Sequence, residues 1–325
     1  MTANRIVAVT RPDLPGDGMA RLGETEGIDL VIRESHEPTS PDELRQLIAG
    51  ARAVIATGMD RFDATVLRSA KDLRILATTS VGVDHIDLAD ASELGIAVTN
   101  TPGALEETCA DYTFGLLLAA RRRIVETDGA VRRGAWRRHT MHEWLGADVH
   151  GSRLGLVGFG SIARAVATRA IGFSMEVVHH DRSRTTSPLS RWVPLADLLS
   201  TSDIVSLHVP LNSSTHHLID DRALGLMKAT ASLINTARGA VVDSDALVRA
   251  LRERRLHSAA LDVVEGEPVD DIEHPILGVD HLVIAPHAAS ATLQARAAMV
   301  DRAVDNVLAV LGGQPPIDPV GQWTQ

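Results

Sequence analysis

The stretch from Arg153 to Asp181, RLGLVGFGSIARAVATRAIGFSMEVVHHD, restricts the fold of this chain more than any other. A short apolar run, Leu154 to Val157, stops at Gly158-Phe159-Gly160. Helix-favouring Ile162, Ala163, Ala165, Val166, Ala167 and Ala170 follow, and a second apolar run ends in Asp181. The order reads as strand, tight turn, helix, strand. Gly158 and Gly160 permit a sharp turn and the close approach of a pyrophosphate. Ala163, third in a G-x-G-x-x-G/A pattern, is small enough for the helix to pack on the strand. The amides of Ser161 and Ile162 then sit at a helix start, where orphan N–H groups and the positive dipole end favour an anion. A glycine triplet alone is weak, since turns before helices use glycine anyway. With a strand before it, a helix after it and Asp181 placed 21 residues beyond Gly160, dinucleotide binding outweighs a purely structural turn.

Asp181 stands where a carboxylate holds an adenosine ribose through its hydroxyls and repels the extra phosphate of NADP, which favours NAD. Arg182 and Arg184 follow at once and could receive that phosphate. A solvated surface explains the two arginines equally well, so NADP stays open.

On both sides of this unit, apolar runs alternate with helix-like segments. Strands are expected over Arg5–Thr10, Ile28–Arg33, Ala53–Thr57, Leu73–Thr79 and Ile96–Thr99, with helices over Glu43–Ala49, Asp63–Ala70 and Leu88–Leu94. Thr101-Pro102-Gly103 is a turn signal, and a long helix is expected from Glu106 to about Val131. Its many apolar residues, Phe114 and Leu116 to Leu118 among them, imply contact with another layer or another subunit. Further on come strands Ile204–Val209, Ser232–Ala237, Ala259–Val263 and Leu282–Ala285, helix Asp245–Arg254, and a last helix from Thr292 to Leu311 that Gly312-Gly313 stops. Such alternation means parallel strands joined by helical crossovers: an α/β fold with two doubly wound parallel-sheet domains. At 325 residues, 45% of them apolar, the chain can fill two cores.

The formal charge of −10 argues against a nucleic-acid partner, which needs a dominant basic face. The basic clusters Arg121–Arg123, Arg132-Arg133 and Arg137-Arg138 read as a solvated or interface face. Cys109 is the only cysteine, which forbids an intrachain disulfide and suits a reducing compartment. The sequence near Met1 lacks the apolar core of a signal peptide, and no run is long enough to span a bilayer, so a cytoplasmic location without membrane contact is expected. His139-x-x-His142-Glu143 invites a metal reading, but no third ligand follows at suitable spacing. Polar surface is the better account, and no metal is expected.

Ligands of open α/β sheets bind beyond the carboxyl ends of strands, which here would gather His208, Arg238, Asp262 and His287 on one rim. Histidine suits proton exchange with a carbonyl oxygen near neutral pH, because free imidazole titrates at about 6.5, and an adjacent acid such as Glu267 would fix its ring. Arginine offers a flat, permanently charged fork for a carboxylate. Singly, each has a dull explanation: an ion-pair partner, a loop carboxylate before Pro268, one of fourteen histidines.

The segments VGVDHIDL, NTPGALEETCADYTFGLLLA, GLVGFGSIA, NTARG, DVVEGEP and APHAAS, in this order, decide the matter. From about Leu73 to the C-terminal helix, the chain resembles the D-isomer-specific 2-hydroxyacid dehydrogenase family, and particularly its glyoxylate/hydroxypyruvate reductase branch. The resemblance implies hydride transfer between NAD(P)H and a small 2-oxo acid/D-2-hydroxy acid pair. Catalysis would fall on Arg238, Glu267 and His287, and Val81 and Gly82 would present backbone amides to the substrate carboxylate alongside Arg238 and His287. Asp262 would lie by the nicotinamide amide, with His208, Val209, Pro210, Thr236, Ala237 and Ala289 lining the cofactor beside Gly158, Gly160, Ser161, Ile162 and Asp181. A Rossmann cofactor domain over residues 102–286 would be inserted into a flavodoxin-like substrate domain formed by 1–101 and 287–325. The helix after Ala104 resembles the family's dimerisation region, so a homodimer is implied. Trp144 matches a tryptophan that reaches the neighbouring subunit's active site in the reductase branch, while simple packing accounts for it nearly as well. Ala288-Ala289 departs from the apolar residue and glycine common after the PH pair.

Two further functions stay in view. A dinucleotide-sensing dimeric scaffold of corepressor type is opposed by the intact Arg238, Glu267 and His287. Formate or phosphite oxidation is opposed by the carboxylate at Glu267. Glyoxylate, hydroxypyruvate and larger 2-oxo acids all remain candidates.

Overall fold

A computed structural model describes residues 5–321. The backbone separates into two compact units, one formed by the residues up to 105 together with those from 291 onward, the other by residues 106–290.

The first unit begins β1 (Arg5–Val9), α1 (Gly18–Gly23), β2 (Ile28–Ile32), α2 (Pro41–Leu47), β3 (Ala53–Ala56), α3 (Ala64–Ser69), β4 (Ile75–Thr78), α4 (Leu88–Glu93) and β5 (Ala97–Thr99). The strands make one parallel sheet in the order β2-β1-β3-β4-β5. This is the flavodoxin-like doubly wound order. β3 and β4 are buried at every position, as strands covered on both faces must be, and so they read as unbroken apolar runs. Helix starts are fixed locally. Ser40 and Glu43 form a reciprocal capping box at α2, and Asp63 and Asp87 cap α3 and α4.

The second unit contains α5 (Glu106–Arg121), α6 (Ile124–Arg132), β6 (Arg153–Val157), α7 (Ser161–Gly172), β7 (Glu176–His180), β8 (Arg191–Trp192), α8 (Leu195–Thr201), β9 (Ile204–Leu207), α9 (Asp221–Leu226), β10 (Ser232–Asn235), α10 (Ser244–Arg252), β11 (Ser258–Leu261) and β12 (Leu282–Ile284). Its seven parallel strands run β12-β11-β10-β9-β6-β7-β8, the Rossmann order extended by one strand. The chain therefore carries the two doubly wound parallel sheets expected from the sequence. Phe114 of α5 stacks on Phe173 beyond α7, with ring centroids 5.3 Å apart, and this face of the sheet is filled from α5 and α7. The opposite face is closed by α8, α9 and α10.

α11 (Leu293–Leu311) returns to the first unit, where Val300, Ala303, Val304 and Val307 join the core under β1, β3 and β4. Thr292 caps it and Gly312 ends it. No helix among the described residues is long and apolar enough to cross a membrane.

The single helix expected from Glu106 to about Val131 is two. Arg121 turns inward, and its guanidinium donates to the carbonyls of Asp148, Asp203 and Thr230. Arg123 then takes a left-handed conformation, φ 55°, that ends α5 and starts α6. Such a break is tertiary in origin, because Arg122 and Arg123 are good helix formers taken alone.

Candidate active site

β6 runs into Gly158, whose φ of +91° is open to glycine and whose missing Cβ would lie 2.5 Å from the carbonyl oxygen of His208. Any side chain here would force β6 and β9 apart. A Cβ on Gly160 would meet nothing within 4 Å, and Gly160 caps α7 with no side-chain partner. The first amides of α7 thus have no cap from the Gly160 position, the arrangement that an anion completes. Phe159 points inward and stacks on His179 at 3.9 Å, which props the turn from behind. Asp181, just beyond β7, accepts from the Phe159 amide at 3.1 Å and from the Arg182 amide at 2.6 Å, so its carboxylate is fixed beside the turn. A nucleotide's pyrophosphate and ribose fit these residues. Arg184 lies over the Trp192 ring at 4.5 Å, which gives it a structural partner.

Three other strand ends form the second half of the site. Beyond β12, His287 has a left-handed backbone, φ 52°, and its Nδ1 lies 2.7 Å from Oε1 of Glu267. Oε2 of Glu267 accepts from the Val264 amide at 3.0 Å, so the carboxylate is held at both oxygens. Asp262, 1% exposed at the end of β11, shapes the histidine loop. Its carbonyl accepts from the His287 amide, and its carboxylate accepts from the amides of Ala288 and Ala289 at 2.7 and 2.8 Å.

Beyond β10, buried Asn235 braces the turn that carries Arg238. Its amide donates to the Arg238 carbonyl at 2.9 Å, and its oxygen accepts from the Ala237 amide at 3.0 Å. The hydroxyls of Thr236 and Thr113 meet at 3.1 Å. Gly239 then passes so near the glutamate loop that a Cβ would lie 2.1 Å from the carbonyl carbon of Val264 and 2.3 Å from the amide of Glu265. The Arg238 and Glu267 segments are thereby pressed together. Sequence reasoning missed Asn235 and Gly239, although NTARG contains both.

After β9, Ser206 Oγ and His208 Nε2 are 2.9 Å apart, and desolvation pushes His208 down to about 4, so it is neutral at ordinary pH. Burial raises Cys109 to about 12, with the negative charge of Asp262 acting in the same direction; its thiol keeps its proton. Val81 and Gly82 belong to the first unit, in the loop after β4. There Ser80 Oγ donates to the Gly82 carbonyl at 2.7 Å, and the Asn100 amide donates to the Val81 carbonyl at 2.8 Å. Glu143 pairs with Arg138.

Residues 114–289, more than half of the chain, match the family model described as D-isomer specific 2-hydroxyacid dehydrogenase, NAD binding domain. The chain belongs to the D-isomer-specific 2-hydroxyacid dehydrogenase family. A glyoxylate reductase of Thermofilum pendens is 44% identical over 317 residues, covering 95% of this chain and 92% of the relative. A crystal structure from Thermus thermophilus superposes with a TM-score of 0.91 at 45% identity, over 98% of this chain and all of that one. An NADPH-dependent glyoxylate/hydroxypyruvate reductase from Sinorhizobium meliloti, solved with NADP and malonate, gives 0.86 at 29% identity over 98% and 97% of the two chains. The dehydrogenase fold accounts for both sheet orders, and the Thermofilum and Sinorhizobium proteins represent the glyoxylate reductase branch of the family.

Proposed function

We propose that this 2-hydroxyacid dehydrogenase reduces a small 2-oxo acid, of the glyoxylate and hydroxypyruvate class, to the D-2-hydroxy acid at the expense of NADH or NADPH. The observation that carries the proposal is the His287–Glu267 pair, 2.7 Å apart on the same sheet as an open glycine turn. Bound reduced nicotinamide would supply the hydride. Gly158, Gly160, Ser161 and Ile162 would hold its pyrophosphate, and Asp181 its ribose, with His208, Val209, Pro210, Thr236, Ala237 and Ala289 along its length.

The remaining work falls to the chain's own groups. Nδ1 of His287 is committed to Glu267, which orients the ring and leaves Nε2 to deliver a proton to the carbonyl oxygen. The guanidinium of Arg238 suits the substrate carboxylate and the oxygen that gains charge. Asp262 acts by holding the histidine loop. NAD is the preferred nucleotide, because a fixed carboxylate at Asp181 repels a 2'-phosphate.

A homodimer is also proposed: Val125, Val131, Trp136, Met141 and Leu145 leave an apolar surface exposed on and after α6. The same exposed segment carries Trp144, whose ring lies 5.7 Å from the Arg123 guanidinium. A dinucleotide-sensing scaffold explains none of the proton-transfer geometry.

Oxidation of NADH and of NADPH, followed by nicotinamide absorbance against a panel of 2-oxo acids, tests the reading. It expects turnover with glyoxylate or hydroxypyruvate and a preference for NADH. Nucleotide binding without reduction of any 2-oxo acid would overturn it.

A further inference from the structure

His216, His217 and Glu265 have no part in the reaction proposed above, yet they converge. One ligand atom from each lies within 4.8 Å of the others. Nε2 of His217 is 2.8 Å from Oε1 of Glu265, and the two imidazole rings stack with centroids 4.0 Å apart.

The backbone is built to hold them there. Thr215 Oγ1 donates to the Pro210 carbonyl, and the His217 amide donates to the Ala240 carbonyl. His217 itself is left-handed, φ 50°, and the next residues pair through Ile219 and Val242. Glu265 is fixed from the other side, where Gly239 packs against Val264 and Glu265. His217 and Glu265 line a cleft of about 430 Å³ whose walls also include Asp243, Asp245 and His274, with Arg249 as the cation, and His216 lies outside that lining. His217 and Glu265 are each about one-third exposed, at 35% and 34%, and His216 is exposed.

We propose that His216, His217 and Glu265 form a three-ligand site for a borderline divalent transition metal of the zinc class. Two imidazoles and one carboxylate are the donors such ions take, whereas magnesium and calcium require oxygen ligands. Ligand bonds of about 2.1 Å in a tetrahedron separate donor atoms by about 3.4 Å. That value lies between the 2.8 Å of the existing pair and the 4.8 Å limit of the set. Rotation of the exposed His216 ring closes the remaining gap. The metal replaces the proton held between His217 and Glu265, and the cleft leaves a fourth position to water. Occupancy ties the 212–217 turn to the loop that also carries Glu267, through residues separate from the His287 pair.

The test uses the full chain, stripped with chelator and exchanged into a non-coordinating buffer. Calorimetric titration with Zn²⁺ and with Mg²⁺ is run on the wild type, on His216→Ala, on Glu265→Gln and on the double variant His139→Ala/His142→Ala. Circular dichroism and thermal melting check that each variant folds. The expected result is one equivalent of Zn²⁺ that raises the melting temperature. Its affinity falls at least about tenfold in His216→Ala and in Glu265→Gln, stays unchanged in the double variant, and has no Mg²⁺ counterpart. Absence of Zn²⁺ binding, binding that His216→Ala leaves intact, or an equivalent lost only on changing His139 and His142 would each overturn the proposal.

Discussion

Glu267 divides its carboxylate between two partners: one oxygen faces Nδ1 of His287 and the other accepts the Val264 amide. A glutamine keeps the shape and the amide bond but carries no charge beside the ring. Glu267→Gln is therefore expected to lower kcat roughly 10²-fold, within the range for positioned proton transfer, and to leave the dissociation constant for NADH unchanged. Steady-state kinetics beside a fluorescence titration of NADH would check both halves. His287 repeats the pattern at the backbone. A left-handed φ is costly for a side chain larger than glycine, and here Asp262 holds the loop through hydrogen bonds from the amides of His287, Ala288 and Ala289. Motif spacing names Asp262 but says nothing of this task, because it arises from the fold around a single buried carboxylate.

At the scale of elements, the proposed chemistry falls in the connections after β6, β9, β10, β11 and β12. Gly239 sets the distance between two of these connections. Gly239→Ala places a methyl group inside the Val264–Glu265 backbone, so the strand-end loops must separate. The expected cost is about 1–3 kcal/mol of stability, the usual range for overpacking, together with a loss of turnover larger than the loss of nucleotide affinity. Melting curves and kinetics on the same preparation would check it.

The central strands are readable from sequence because strands buried on both faces are unbroken apolar runs, and the glycine turn is readable because its spacing carries the chemistry. Short elements whose form depends on neighbours are not: α1, the two-residue β8, α8 and α9 have little pattern of their own. The break between α5 and α6 depends on carbonyls 27 to 109 residues away that draw Arg121 inward. Gly239 is hidden for the same reason, since Val264 and Glu265 lie in a loop whose approach only the folded sheet defines, whereas Asn235 bonds within its own turn to Ala237 and Arg238.

At the scale of the molecule, each unit is one doubly wound sheet, and the histidines of the second unit give it a pH signature. Burial depresses His179, His208, His257 and His281, with nearby arginines adding to the effect at His257 and His281. A depressed folded-state value means that the unfolded chain binds these protons first. Their contribution to stability is complete above about pH 6.5 and is lost as pH falls below it, with His208 losing its share last, near pH 4. Melting temperatures measured from neutral pH down to about pH 4.5 are expected to fall steadily below about 6.5, and His179→Phe, which keeps the stack on Phe159, is expected to flatten part of that slope. The reductase reading itself meets its most direct test in His287→Ala, assayed for NADH oxidation with glyoxylate or hydroxypyruvate. Turnover should drop by roughly 10²- to 10⁴-fold while NADH still binds; turnover close to that of the unaltered protein would contradict it.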